Sequence, residues 1–368
     1  MTIFVPFSAP GDRLRVRIVE RRRRFMRGEI EEILSPGPSR VEPRCSAFGR
    51  CGGCAWQHIE YSAQLEAKRA ILGDALRRIG GHRLDRPPDV MASPDAYGYR
   101  SRARVLSRDG EVGFRAPRSH ALCAVTQCPV LDPAVESSLD RVARTSPRDG
   151  RLREWEISIG TDGSARIHEL ADEPLRPLGD ELALEVAGDR IALSPGAFAQ
   201  VNALLRDALH ARVVERAGEG ERLLELYAGA GFFTLALSRR FAFVEAVESS
   251  PISGPDLERN LSRAGRSNVS LLRARVEAVV PRHVRGDPDV VVVDPPRTGL
   301  PEAVTTGLVE LAAARIVYVS CDPATLARDT ARLVAAGYAL STVEGFDLFP
   351  QTPHVEAVAV LERRASGR

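Results

Sequence analysis

The sequence has no long hydrophobic run and no export signal at its start. No window of the 368 residues holds about eighteen uninterrupted apolar side chains, which a membrane-spanning helix requires, so no such helix is predicted. Residues 1–15 contain no cationic stretch followed by an apolar core, so no secretory signal is predicted. The expected location is the cytoplasm, and no membrane is expected as a partner.

The sequence also has a small net charge and very little lysine. The formal net charge is +2, and Lys68 is the only lysine, so arginine carries almost all of the positive charge. Arginines are concentrated near the start, at positions 13, 15, 17, 21, 22, 23, 24 and 27. Such a cluster suits contacts with phosphate groups, and a solvated face without a ligand is the alternative for any run of charge.

The pattern of apolar residues divides the first half of the chain into two regions. Apolar residues alternate over 14–18 and again around 30–34, which predicts a small β domain at residues 1–44. Residues 45–190 combine a helix-like segment over 61–79 with strand-like runs such as 154–159. This mixture predicts a central α+β domain.

Residues 191–368 alternate short apolar runs with helical segments, as buried parallel strands and their crossover helices do. The runs lie at residues 223–226, 243–247, 269–272, 290–293, 316–319, 340–346 and 355–361. Seven such strands predict an α/β fold with a doubly wound, Rossmann-like, mostly parallel sheet.

A glycine-containing turn follows the first of these strands. Gly229 and Gly231 would let a ligand approach the backbone at a helix N-terminus, although a plain tight turn is the alternative. The spacing lacks the full dinucleotide fingerprint. The second strand ends at Glu248, about twenty residues later, where a carboxylate can bind a ribose diol. A nucleoside cofactor is therefore favoured, and S-adenosylmethionine fits.

Three residues near the ends of later strands are candidates for chemistry. Asp294 follows the fourth strand, where ligands of open α/β sheets bind. Cys321 follows the fifth strand and is a candidate nucleophile, with a small core residue as the alternative. Glu356 begins an otherwise apolar strand and is a candidate general base. His354 is the alternative base.

These residues together indicate transfer of a methyl group to carbon 5 of uracil. Carbon 5 is a poor nucleophile until a thiolate adds to carbon 6 and converts the ring to an enolate. A base must then remove the proton on carbon 5 so that the thiolate can leave. Cys321 and Glu356 provide these two groups, and Asp294 can contact the pyrimidine edge. Arg297 stands where many amino-group methyltransferases have an aromatic residue, which argues against methylation of an exocyclic nitrogen.

Over nearly its whole length the sequence resembles the RNA (uracil-5-)-methyltransferases, specifically the iron–sulfur-containing 23S rRNA type. The motifs are Phe198-Ala-Gln-Val-Asn202, the loop from Tyr227 to Gly231, Asp294-Pro-Pro-Arg297, Ser320-Cys321-Asp-Pro and His354-Val-Glu356. The resemblance implies a class I methyltransferase domain at 191–368, Cys321 as nucleophile, Glu356 as base and Asp294 on the flipped uracil. It also implies that Phe198 stacks on the base and that the cofactor site is lined by Gln200, Tyr227 and Glu248.

The resemblance also suggests a role for the clustered cysteines. Cys45, Cys51, Cys54 and Cys128 match the family's four ligands for a [4Fe–4S] cluster, which would make residues 45–190 an iron–sulfur and RNA-binding domain. On spacing alone a four-cysteine zinc site is nearly as good an explanation. Cys123 lacks the matching flank and is not assigned as a ligand.

The sequence departs from the family pattern in three places. Residues 1–44 match only the later part of a TRAM domain, an OB-like RNA-binding barrel, so a partial barrel is expected. Residues 251–255, with two prolines, are expected to interrupt the helix after the second strand. Arg275 stands near the position where many relatives have an acidic residue in the adenine region.

The expected partner is RNA with a single-stranded or loop uridine, because the base must leave its stack to reach Cys321. 23S rRNA is favoured because bacterial tRNA relatives generally lack the cysteine cluster, and tRNA is the alternative. A non-catalytic RNA-binding protein on the same scaffold and a DNA or protein N-methyltransferase rank lower. No feature indicates an obligate protein partner.

Overall fold

The computed structural model describes residues 1–170, 182–280 and 286–364. The strands are β1 (Thr2–Phe4), β2 (Arg13–Arg21), β3 (Phe25–Ser35), β4 (Val90–Met91), β5 (Arg102–Arg108), β6 (Glu111–Arg115), β7 (Leu122–Ala124), β8 (Arg153–Ile159), β9 (Ala165–Glu169), β10 (Leu182–Val186), β11 (Asp189–Leu193), β12 (Gly220–Leu226), β13 (Phe241–Val247), β14 (Val269–Leu272), β15 (Val290–Val293), β16 (Arg315–Ser320), β17 (Tyr338–Phe346) and β18 (Glu356–Arg363). The helices are α1 (Tyr61–Arg78), α2 (Pro133–Thr145), α3 (Arg206–Ala217), α4 (Thr234–Leu237), α5 (Ser253–Arg263), α6 (Val276–Val279), α7 (Glu302–Leu311) and α8 (Pro323–Ala335).

The C-terminal half forms the largest sheet, with strand order β14-β13-β12-β15-β16-β18-β17-β4. The strands from β14 to β16 are parallel, and β18 runs antiparallel to both β16 and β17. Each of the seven apolar runs in the sequence forms a strand, which confirms the mostly parallel α/β sheet. The predicted count of seven strands is wrong, because among the described residues β4 pairs with β17 as an eighth strand of this sheet. A strand of two residues is too short to leave a periodic pattern.

Helices cover both faces of this sheet, which explains the uninterrupted apolar runs. In β15, Val291 and Val293 belong to one core cluster, together with side chains of α1, α7 and α8. Val290 and Val292 belong to the opposite cluster, together with side chains of α3 and α4. Burying each valine stabilises the fold by about 1.5–3 kcal/mol. The carboxyl ends of the parallel strands are thereby held at one rigid edge.

Two segments of the predicted central region pack on this C-terminal sheet. Leu72 and Leu76 of α1, and Val90 of β4, lie in the same core cluster as Val291. Lys68 of α1 is fully buried, forms an ion pair with Asp347, and donates a hydrogen bond to the carbonyl of Phe349 at 3.0 Å. A buried charge is tolerated when it is paired in this way. The pair fastens α1 to the loop that follows β17.

The rest of the first 170 residues forms two smaller sheets. β1, β3 and β2 form one sheet, and β7, β6, β5, β8 and β9 form an antiparallel sheet that packs on α2. The helix predicted over 61–79 is present as α1, and the strand predicted over 154–159 is present as β8. These elements confirm that the central region mixes helices and strands.

Half of the arginines near the start form ion pairs with glutamates of the β2–β3 sheet. Arg15 pairs with Glu32, and Arg17 pairs with Glu29 at 2.5 Å. Arg22 and Arg27 both pair with Glu20, at 2.6 and 3.3 Å. All four arginines are exposed. Much of this cluster is therefore a solvated charged face, which was the alternative to contacts with phosphate groups. Arg23 and Arg24, at the turn between the strands, form no ion pair with a described residue.

The proline-containing segment after β13 starts a helix rather than interrupting one. α5 begins at Ser253, and Pro255 lies in its first turn. A proline costs little there, because the first N–H groups of a helix have no intrahelical partner. The expected interruption is therefore wrong. None of the helices in the described ranges is long and apolar enough to cross a membrane.

Candidate active site

The loop after β12 has the strained backbone expected of a ligand-binding turn. Tyr227 and Gly229 have positive φ angles of 63° and 59°. Gly231 also has a positive φ, and a Cβ atom there would lie 2.7 Å from a side-chain carbon of Leu257. Glu248 supports the turn, because its carboxylate accepts a hydrogen bond of 2.8 Å from the N–H of Gly229. Its other oxygen accepts one of 2.6 Å from Ser250.

A pocket beside this loop collects most of the predicted cofactor-site and substrate residues. Its lining includes Phe198, Gln200, Tyr227, Gly229 and Asp294 among mainly apolar neighbours. Gln200 is buried, whereas Phe198 is 68% exposed. Apolar walls with a few polar groups are typical of pockets for small molecules. Glu248 does not line this pocket, but it holds one wall through Gly229.

Asp294, Cys321 and Glu356 meet at the same edge of the sheet. Asp294 follows β15, Cys321 follows β16 and Glu356 begins β18, and these three strands are neighbours in the sheet. Burial, together with the negative charges of Glu356 and Asp294, raises the pKa of the Cys321 thiol to about 11. Burial and the charge of Asp294 also raise the pKa of Glu356. Burial raises the pKa of Asp294 to about 7.

The loops that carry Asp294 and Cys321 are fastened to each other. Asp329 of α8 is buried and accepts hydrogen bonds from the N–H of Leu300 at 2.7 Å and from the hydroxyl of Tyr318 at 2.9 Å. Leu300 ends the loop after Asp294, and Tyr318 lies in the strand before Cys321. This buried carboxylate therefore sets the spacing of the two loops.

Arg297 is a site residue that sequence reasoning did not assign. Its side chain is exposed, and its positive charge lowers the pKa of Cys321, Glu356 and His354. In the sequence, Arg297 was used only as an argument against nitrogen methylation. Its place in the loop after β15, next to the loop after β16, is the signal that could have identified it.

Glu225 is a second residue that was not predicted. It is buried in β12, and its Oε2 atom has no hydrogen-bond partner among the described residues. Burial, together with the charges of Asp294 and Glu248, raises its pKa to about 8. A buried carboxyl group with a shifted pKa beside a pocket is typical of a functional site. The signal in the sequence is an acid within an apolar strand.

His354, the alternative base, lies close to the same site. It is half-buried, and burial together with the charge of Arg297 lowers its pKa. The charge of Glu356 acts directly on the Cys321 thiol, whereas that of His354 is not among the main influences. Glu356 therefore has the stronger electrostatic effect on the thiol.

The four predicted cluster cysteines line a single cavity. Cys45, Cys51, Cys54 and Cys128 share it with largely apolar neighbours, including Phe48 and Phe114. Burial raises the pKa of Cys51 to about 11 and that of Cys128 to about 12, so bound cations would be needed to favour their thiolates at neutral pH. In the described parts of the chain, no three His, Cys, Asp or Glu side chains are arranged to hold a metal ion.

Cys123 stands apart from this set. It lies in β7 opposite Phe114 and does not line the cavity. Its charge nevertheless contributes to raising the pKa of Cys51, so it is a neighbour of the set. This position agrees with its exclusion from the predicted ligands.

Comparison with protein families and curated sequences places the chain among RNA methyltransferases. Residues 181–283 and 285–364 match the family described as tRNA (uracil-5-)-methyltransferase. A 23S rRNA (uracil(1939)-C(5))-methyltransferase of Alkalilimnicola ehrlichii is 34% identical over 99% of this chain and 92% of its own length. An uncharacterized RNA methyltransferase of Synechocystis is 33% identical over 98% of this chain and 90% of its own length.

A solved structure with the same fold is also similar over the full chain. The tRNA (uracil-54, C5)-methyltransferase of Pyrococcus abyssi, in complex with S-adenosyl-L-homocysteine, has a TM-score of 0.78 and 27% sequence identity. The similarity covers 98% of this chain and 95% of that one. The overall fold is therefore one that a solved methyltransferase shares.

The charges around Cys321 predict how its reactivity changes with pH. The rate of alkylation of Cys321, followed on its peptide by mass spectrometry, should rise with pH up to about pH 11. Arg297→Met removes a positive charge and should shift this profile to higher pH, whereas Glu356→Gln removes a negative charge and should shift it to lower pH. Arg77→Met, which changes an exposed arginine on α1, should leave it unchanged. Shifts of the same sign in both site variants would contradict this account.

Proposed function

Since this chain belongs to the RNA (uracil-5-)-methyltransferase family, we propose that it methylates carbon 5 of one uridine in 23S rRNA, with S-adenosylmethionine as methyl donor. The observation that carries the proposal is the meeting of Cys321, Asp294 and Glu356 beside the pocket of the glycine loop. Similarity to 23S rRNA methyltransferases over nearly the full chain supports the same reaction.

The proposed chemistry uses Cys321 and Glu356 in sequence. The thiolate of Cys321 forms a bond to carbon 6 of uracil, and the electron pair of the 5,6 double bond makes carbon 5 nucleophilic. When bound, S-adenosylmethionine would supply the electrophilic methyl group for carbon 5, and S-adenosylhomocysteine would leave with the electron pair of the broken methyl–sulfur bond. Glu356 then accepts the proton of carbon 5, the 5,6 double bond forms again, and the thiolate leaves. A base with a raised pKa is suited to take this proton near neutral pH.

The proposed roles of the pocket residues follow from their positions. Gln200, Tyr227 and the backbone of Gly229 would bind the methyl donor, with Glu248 near its ribose. Asp294 lines the same pocket and also acts electrostatically on the thiol, so it would contact both the donor and the uracil. Phe198, exposed at the pocket, would stack on the flipped base.

Arg297 fits the same reaction as an electrostatic partner of the nucleophile. Its positive charge favours the thiolate of Cys321, which is the reactive form. It also opposes the effect of Asp294 on Glu356. We therefore add Arg297 to the residues that support the attack on carbon 6.

The cysteine cavity supports a proposal that Cys45, Cys51, Cys54 and Cys128 hold a [4Fe–4S] cluster. The four thiols enclose one cavity with mainly apolar walls, as suits a group bound by thiolates and shielded from water. A zinc ion held by the same four cysteines is the alternative. The cluster would shape the RNA-binding region, and no step of methyl transfer requires it.

The proposed RNA contacts extend to residues 1–44, which we assign as a partial OB-like domain. The support is the sheet of β1, β3 and β2, with Arg23 and Arg24 at its turn. Because most arginines on the sheet face are paired with glutamates, this turn is the better candidate for phosphate contacts. The same proposal places the protein in the cytoplasm with ribosomal RNA.

A tRNA uridine is the second candidate substrate. The solved structure with the same fold is of a tRNA enzyme, at 27% identity. The 23S rRNA enzymes are 33–34% identical over almost the whole chain, so their substrate is preferred. The presence of both Cys321 and Glu356 supports catalysis over a purely RNA-binding role.

Transcripts that contain 5-fluorouridine test the reaction and the substrate together. Fluorine on carbon 5 cannot be removed as a proton, so the enzyme should remain covalently attached to its true substrate after methyl transfer. We expect a denaturation-resistant adduct with a 23S rRNA transcript, dependent on S-adenosylmethionine, and none with Cys321→Ala. An adduct with tRNA transcripts alone would establish the second candidate. No adduct with either RNA would contradict the proposed function.

Iron and acid-labile sulfide test the cluster separately from activity. After anaerobic purification we expect about four iron atoms and about four sulfides per chain, with a broad absorption in the visible range. Cys128→Ser should lower both contents, whereas Cys123→Ser should leave them unchanged. A preparation with one zinc atom per chain and no iron would establish the zinc alternative instead.

A further inference from the structure

The loop between β17 and β18 leads directly to Glu356, and its backbone is held by residues far upstream. The carbonyl of Phe349 accepts a hydrogen bond from Lys68, and the carbonyl of Pro350 accepts one of 3.1 Å from the hydroxyl of Tyr99. This loop, residues 347–355, is therefore anchored to the segment before residue 100.

Gln351 has the largest number of these contacts. Its N–H donates to Oε1 of Gln64 at 3.0 Å, and its own Oε1 accepts from Nε2 of Gln64 at 2.9 Å. Its carbonyl accepts from the N–H groups of Ala55 at 3.0 Å and Trp56 at 2.9 Å. The two glutamine side chains are both buried, so water does not compete for these bonds.

The backbone of Gln351 requires this support. Its φ angle is 67°, a region that is unfavourable for residues with a side chain. Such a conformation persists when the surrounding contacts enforce it, and these conformations concentrate at functional sites. The chain then runs five residues to Glu356, whose side chain is 3% exposed. A change at Gln351 would therefore be transmitted to the carboxylate through a short tethered segment.

Cys321 is held by a separate set of contacts. Asp322 caps α8 by accepting hydrogen bonds from the N–H groups of Ala324 at 3.0 Å and Thr325 at 2.9 Å. Ser320 and Asp322 are joined by two further bonds of 3.1 and 3.2 Å. None of these contacts involves Gln64 or Gln351. Backbone pairing of β16 with β18 joins Ser320 to Ala357, but the contacts at the start of α8 hold Cys321 without either glutamine.

We propose that Gln64 and Gln351 are positioning residues for Glu356, which control removal of the proton from carbon 5 but not addition of Cys321 to carbon 6. The inference rests on the proposed function, because it assigns these residues to one step of that reaction. Ala55 and Trp56, which complete the clamp, follow Cys54 directly, so the same contacts connect the cysteine cavity to the base.

Single-turnover kinetics with ordinary uridine RNA and methyl-labelled S-adenosylmethionine separate the two steps. The labelled, denaturation-resistant adduct reports addition and methyl transfer, and its decay to free methylated RNA reports proton removal. In Gln64→Leu we expect adduct formation within about threefold of the wild-type rate and decay slower by about ten- to a hundredfold, so the adduct accumulates. Parallel slowing of both steps, or unchanged decay, would overturn the proposal.

A second variant and a matched control keep the result interpretable. Gln351→Gly removes the side-chain amide and relieves the positive φ, so it tests the clamp if Gln64→Leu does not fold. It should also accumulate the adduct. Asn268→Leu loses two hydrogen bonds, of 2.8 and 3.0 Å, to the carbonyls of Ser238 and Phe241 away from the site. It should not accumulate the adduct.

The outcomes also distinguish this inference from the proposed function. If the wild-type protein forms no adduct with 5-fluorouridine RNA, the proposed reaction is wrong. If the wild-type protein forms it, and both glutamine variants release product at the wild-type rate, only the positioning role is wrong. Iron content and melting temperature, measured on each variant, show whether slow decay reflects a local change or loss of the fold.

Discussion

The site depends on the burial of several carboxyl groups at one edge of the sheet. Glu225, Asp294 and Glu356 all have raised pKa values because they are removed from water, and Asp294 contributes to the shift in the other two. The same environment raises the pKa of the Cys321 thiol. Such a site favours a positively charged ligand, because a cation stabilises the ionised carboxylates. The sulfonium of S-adenosylmethionine carries this charge, and it is lost when the methyl group is transferred.

The chain brings this site together from distant segments. Cys321 and Asp294, the proposed nucleophile and pyrimidine partner, follow neighbouring parallel strands, while Glu356, the proposed base, begins a strand that runs the opposite way. The loop before the base is held by α1 and by the segment after Cys54. The buried pair of Lys68 and Asp347 strengthens this junction, since a lone charge there would be costly. The region before residue 100 is therefore part of the construction of the active site, in addition to any role with RNA.

The sequence was sufficient to predict the strands and the motif residues but not the contacts between distant segments. Apolar runs such as 290–293 are uninterrupted because both faces of the sheet are covered, so they could be recognised. β4 could not, because two residues show no periodicity and its partner strand lies far along the chain. Arg297 and Glu225 were missed as site residues for a related reason. An acid within an apolar strand marks Glu225 only as unusual, and the effect of both residues comes from neighbours on other strands.

The central claim is that Cys321 adds to the base and Glu356 releases it. Glu356→Gln keeps the size of the side chain but cannot accept the proton. The measurement is to incubate this variant with ordinary uridine RNA and methyl-labelled S-adenosylmethionine and to follow where the label goes. We expect a methyl-labelled protein–RNA adduct that survives denaturation, with product release slowed by about a hundredfold or more. Release of methylated RNA at the wild-type rate, without an adduct, would contradict the assignment of Glu356 and the account built on it.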